Sequence, residues 1–135
     1  MSTVSYFNPA ELPSSPAYSH AAAVASGRVV FVSGEQALDA QGQLVGKDDF
    51  KRQAEQVFAN VKRALSAAGA GISDVVAIYT HYVNRADLPA YREARAAFFA
   101  GRTGEPPTST TVQVVGLVAE GALLEVGVTA IIPAR

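Results

Sequence analysis

The chain alternates polar and apolar residues briefly at its start and becomes more apolar further on. Thr3 to Phe7 (TVSYF) alternates over a short span, the signature of a half-buried strand. Leu12 to Ser19 (LPSSPAYS) interrupts it with prolines and serines and predicts an ordered turn. His20–Gly27 and Arg28–Gly34 then read as a hairpin about Ser26-Gly27. Within the second arm, Val29, Val30, Phe31 and Val32 run without a polar break, which predicts a strand covered on both faces. Val75–Val83 is a further long strand. Thr110–Val118 and Ala122–Ile132 are the last two, joined by Ala119–Gly121.

Between the strands the period changes to that of a helix. Asp48 and Asp49 offer an N-cap and negative charge for a first turn. Phe50, Ala54, Val57, Phe58, Val61 and Leu65 then share one helical face, and Gly69 is the stop. Asp87 is placed to cap a second helix with Pro89 in its first turn, where a missing N–H costs nothing. Leu88, Tyr91, Arg95, Phe98 and Phe99 form its inner face, and Gly101 ends it. The order is β-β-β-α-β-α-β-β. Each strand–helix–strand passage predicts a crossover, so the expected architecture is α+β, one mixed sheet with both helices on one face. No third helix is left to cover the other face. That points to a second subunit on the open side.

Composition narrows the reading. With 135 residues the chain fits a single domain, residues 1–135, large enough for its own core. Net charge is −1 and no basic run is longer than a pair, so a nucleic-acid partner is not expected. The absence of cysteine removes disulfides, thiolate metal sites and thiol nucleophiles together. Residues 1–16 lack the pattern of a signal peptide, and no apolar run reaches membrane-span length. A cytoplasmic protein with no membrane partner is the expectation.

Few residues offer chemistry. His20 and His81 are the only histidines, and neither has a companion at metal-ligand spacing, so no metal site is expected. Phosphate-binding glycine motifs and a nucleophile elbow are also missing. Ser33 and Gly34 end the apolar strand, as either a turn or a hydroxyl at the strand mouth. Glu125 lies in LLEVGV, flanked on both sides by apolar residues. It either points outward from an edge strand or holds and deprotonates water in a semi-apolar site. The stretch PPTSTTVQVV carries the hydroxyls of Thr108, Ser109, Thr110 and Thr111 at the start of a strand, either as a wet edge or as a pocket wall.

Taken in order, SPAYSHA, VFVSGEQALDAQGQLVG, AGAGISDVV and TVQVVGL…LLEVGVTA resemble the RidA/YjgF family, also called L-PSP endoribonuclease-like. The resemblance covers almost the whole chain. It implies a chorismate-mutase-like fold and a homotrimer with its sheets facing the centre. Small ligands would bind in clefts between subunits. The best-known branch hydrolyses reactive enamines and imines without metal or cofactor.

Residue by residue, the resemblance makes Tyr18 the substrate-orienting tyrosine, Ser33 and Gly34 the serine–glycine step, and Glu125 the cleft glutamate. Ser109 stands where the deaminase branch has an arginine that clamps the substrate carboxylate, and Arg92 where it has a helical asparagine. Losing such a clamp removes about 2–5 kcal/mol, so classical 2-imino acid turnover is not expected through it. The hydroxyls of Ser109, Thr110 and Thr111 would then read a neutral or differently shaped substrate, unless Arg92 brings the charge from another wall. The leading expectation is cofactor-free hydrolysis of a small imine or enamine. The alternatives are a non-catalytic ligand-binding trimer and, last, RNA cleavage.

Overall fold

The computed structural model describes residues 3–135. Its elements are β1 (Val4–Phe7), β2 (Ala21–Val24), β3 (Arg28–Glu35), α1 (Phe50–Ala67), β4 (Val75–Tyr82), α2 (Leu88–Phe98), β5 (Thr108–Gln113) and β6 (Leu124–Ile132). The order of strands and helices is the one the hydrophobic pattern predicts. Strands β3, β6, β4 and β5 form a mixed sheet in that spatial order. The last strand, β6, is antiparallel to both of its neighbours, whereas β4 and β5 run parallel. Each helix is therefore a crossover: α1 spans from β3 to β4, and α2 from β4 to β5.

One face of the sheet carries the core. Ile78 of β4 and Leu124, Val126, Val128 and Ala130 of β6 pack with Ala54, Val57, Phe58, Val61 and Leu65 of α1. The whole predicted face of α1 is buried. Asp49 caps it by accepting from Arg52 N at 3.1 Å. Gly69, at φ 83°, turns the chain out of it. Gln53 is buried among the apolar residues because its amide is fully used. It donates to the carbonyls of Gly46 and Gly121 and accepts from Leu123 N. The second helix, α2, joins the same core through Tyr91, whose hydroxyl meets Thr80 of β4.

Three local expectations are corrected. The predicted hairpin about Ser26-Gly27 does not form. Gly27 does turn the chain (φ 120°), but β2 pairs with β1 as a separate two-stranded ribbon. The eight-residue β3 pairs with the nine-residue β6, a longer ladder than the four-residue β2 could offer. The last connection is not Ala119–Gly121 alone. Tyr82, the end of β4, pairs with Gln113, so β5 stops there for want of a partner and a longer loop leads to β6. Asp87 occupies the N-cap of α2 but makes no capping bond. Its Oδ2 is buried without a partner, and that burial raises the carboxyl above its ordinary range, partly offset by a hydrogen bond with Asn84.

The other face of the sheet is open within one chain. Val30 and Val32 face the helices, but Val29 and Phe31 point the other way, and Phe31 is 81% exposed. Tyr79 and Val112 are exposed on the same open face, and Val115 and Val118 on the loop after β5.

Candidate functional site

Two clusters gather the residues that offer chemistry. The first lies on the open face, around Glu125. Strand alternation turns Leu124 and Val126 to the core and Glu125 outward, directly across from His81 of β4. The Glu125 carboxylate is gripped from two sides. Gln36 Nε2 donates to Oε1 at 3.0 Å, and His81 Nδ1 lies 3.6 Å from Oε2. Gln36 is itself fixed, since its Oε1 accepts from Ala119 N at 2.9 Å.

Gly34 makes room for this group. A Cβ there would lie 2.6 Å from Glu125 Cδ and 2.8 Å from Oε2, closer than side-chain carbons approach. It sits in the stretch where the β3–β6 register slips, between Val32 and Glu35. Ser33 is exposed beside it. Burial, and then the nearby Glu125 charge, raise the Glu35 carboxyl above its ordinary range. The cluster on the open face is thus one carboxylate, an imidazole and an amide, while Glu35, paired with the core-facing Val126 and lining a pocket with Gln56, Asn60 and Arg63 of α1, lies on the helix side. The open-face cluster can hold a water and take a proton from it.

The second cluster is a cavity of about 530 Å³ between α2, the free edge of β5 and the loop before β2. Tyr18, Arg92, Ser109 and Thr111 meet there, as do Arg85 and Arg95. The loop is tied down locally. Ser19 Oγ donates to Pro106 O and Ser19 N to Pro107 O, while His20 Nε2 lies 2.7 Å from Pro13 O. Those bonds set Tyr18 against the His20 ring edge-on and beside the cavity.

Arg95 supplies what Ser109 lacks. Its Nη1 donates to Ser109 Oγ at 2.7 Å and its Nη2 to Ala17 O at 2.8 Å. A guanidinium therefore stands at this wall, carried by α2 instead of β5. Arg92 lines the same cavity, and its side chain makes no hydrogen bond among the described residues. Thr110 is not part of the wall. It pairs with Tyr79 and shares the open face, whereas Ser109 and Thr111 turn to the helix side.

Within one chain the predicted residues are thus divided between two places. Glu125, Gly34 and Ser33 lie with the open-face cluster. Tyr18, Arg92, Ser109 and Thr111 lie in the edge cavity. Arg95, His81 and Gln36 are additions that the sequence reading did not place in the site. The available signal for Arg95 was a charged residue on the otherwise apolar face of α2. Among the described residues no cluster of three His, Cys, Asp or Glu side chains could hold a metal, and no helix is long and apolar enough to cross a membrane.

Fold and site together define a small α+β domain with a carboxylate held between an amide and an imidazole on its open sheet face. Residues 9–132 match the family model described as Endoribonuclease L-PSP. The chain is 35% identical over 98 residues to the 3-aminoacrylate deaminase RutC of Acinetobacter baylyi, covering 73% of this chain and 75% of that protein. Its fold matches that of YyfB, a Rid-family protein of Yersinia pestis, at TM-score 0.86 and 36% identity, over 97% of this chain and 100% of the other. It also matches Escherichia coli TdcF with bound serine, at TM-score 0.70 and 28% identity, over 80% and 84% of the two chains. The chain belongs to the RidA/YjgF family, which includes enamine and imine deaminases such as the Acinetobacter relative.

Proposed function

We propose that this chain hydrolyses a small imine or enamine, in a cleft completed by a second copy of itself. The observation that carries the reading is the Glu125 carboxylate, held between Gln36 and His81 on the open face. An imine carbon is electrophilic, and its hydrolysis needs only a positioned water and a group that takes a proton from it. Glu125 accepts that proton as the water oxygen bonds to carbon. Returning that proton to the imine nitrogen gives the carbinolamine, and transfer of its hydroxyl proton to nitrogen then breaks the C–N bond, releasing ammonia and leaving a carbonyl.

His81 and Gln36 keep the carboxylate aimed while this happens. Substrate is held in the edge cavity by Arg95, Ser109 and Tyr18. In this reading the two clusters come from different copies, because within one chain they lie on different faces. The exposed Phe31, Val29 and Tyr79 give the copies an apolar surface to share, and a homotrimer is the expected assembly. A non-catalytic binding trimer is the second reading, favoured by the serine bound to TdcF. Ammonia release from a freshly generated imine tests the first against the second. No acceleration over buffer would leave only the binding reading.

A further inference from the structure

We infer that the edge cavity is built for a small ligand carrying two negative charges. This deepens the proposed function by naming its substrate class, and depends on that reading only for calling the ligand a substrate. Three arginines line the cavity, Arg85, Arg92 and Arg95, and no aspartate or glutamate does. Among the described residues no carboxylate forms an ion pair with any of them.

How each guanidinium is used separates structural from binding roles. Arg102, which shares the Phe99 ring with Arg95, spends all five of its N–H groups on the protein. They go to the carbonyls of Ile72, Val75 and Glu105 (the last taking two) and to the Tyr6 hydroxyl. Arg102 is a clasp. Arg95 spends two, on Ser109 and Ala17, which aims it and leaves three N–H groups. The side chains of Arg85 and Arg92 have no hydrogen bond among the described residues.

Three like charges around one cavity repel each other until an anion enters. A single carboxylate satisfies one guanidinium fork. Arg95 takes it, and Arg92 and Arg85 remain for a second anionic group. The hydroxyls of Ser109 and Tyr18 complete the donor set. The second group is a carboxylate or a phosphoryl group, which share this chemistry.

Calorimetric titration of the purified protein with succinate, inorganic phosphate and butyrate at matched ionic strength tests the inference. Succinate, phosphate or both are expected to bind about tenfold or more tightly than butyrate. Tight succinate alone assigns a dicarboxylate, and tight phosphate alone a phosphorylated ligand. Arg92→Gln and Arg85→Gln should each lower the affinity for the dianion and leave butyrate binding unchanged, with circular dichroism showing a retained fold. Arg95→Gln should weaken all binding. Equal affinity for butyrate and both dianions, or dianion binding indifferent to Arg92→Gln and Arg85→Gln, overturns the inference. The two readings fail separately. Dianion selectivity without imine hydrolysis removes the proposed function alone, and hydrolysis without dianion selectivity removes this inference alone.

Discussion

Arg95 of α2 donates a 2.7 Å hydrogen bond to Ser109 of β5, so a helix residue delivers positive charge to a strand position that has none of its own. The bond runs from one wall of the edge cavity to another, and a second one to Ala17 O adds the loop that carries Tyr18. One guanidinium thereby joins three segments that are distant in sequence. If it also holds substrate, Arg95→Gln should raise KM by roughly 30-fold or more. Lysine should not rescue it, because a single ammonium cannot keep both protein bonds and still offer a planar fork. Steady-state kinetics on both variants, with their melting temperatures, check this. An unchanged KM in Arg95→Gln would show that the arginine only braces the loop.

Gly34 leaves space for the Glu125 carboxylate. Alanine suits the backbone there but would place a methyl group 2.6 Å from Glu125 Cδ. The carboxylate must then move. A shift of about 1 Å in a reacting group costs on the order of a hundredfold in rate. Gly34→Ala should therefore fold normally and lose about that much kcat. Wild-type kcat in this variant would mean that the position of Glu125 does not matter.

Glu35 gives a pH dependence with a definite sign. Burial, and then Glu125, push its carboxyl up in the folded state. The folded state therefore holds this proton more tightly than the unfolded chain does. Stability from this group is complete below the ordinary carboxylate range and is lost as pH rises through the raised value. Glu35→Gln, which cannot ionise, should melt higher than wild type at neutral pH. The gap should close in acid, where both side chains are neutral. Melting curves from acid to neutral pH check the sign, and a gap that widens in acid would reverse it.

The division of candidate residues between two faces leads to a test of assembly. Glu125→Gln and Arg95→Gln damage different clusters. If each cleft draws one cluster from each of two copies, the two inactive variants co-expressed should form mixed assemblies with some intact clefts. A recovery of about a quarter of wild-type activity is the scale expected from random pairing of symmetric interfaces. No recovery in verified mixed assemblies would place both clusters of a working site in one chain.

Much of the fold was legible in the pattern of residues. Helix α1 follows directly from the spacing of Phe50, Ala54, Val57, Phe58, Val61 and Leu65, since one stripe must face a core. Pairing was less legible. The residues around Ser26-Gly27 carry a turn signal, but which strand β3 joins depends on the length of β6, almost a hundred residues on. Glu125 was legible as a charge inside an apolar strand. Its partners were not, because His81 reaches it only through the β4–β6 register and Gln36 only through the slip beside Gly34. Ser109 could be read as a missing charge. The Arg95 guanidinium beside it could not, because an arginine on a helix face shows its direction only once the helix is docked.

The central claim is that Glu125 handles the water in imine hydrolysis. The direct measurement is the rate of ammonia release from a freshly generated small imine, with wild type and with Glu125→Gln. Glutamine keeps the shape and can still accept from Gln36, but it cannot accept the proton. Loss of a general base is expected to slow turnover by about 10²–10⁴-fold, with assembly and ligand binding retained. A Glu125→Gln protein that releases ammonia as fast as wild type would contradict the claim.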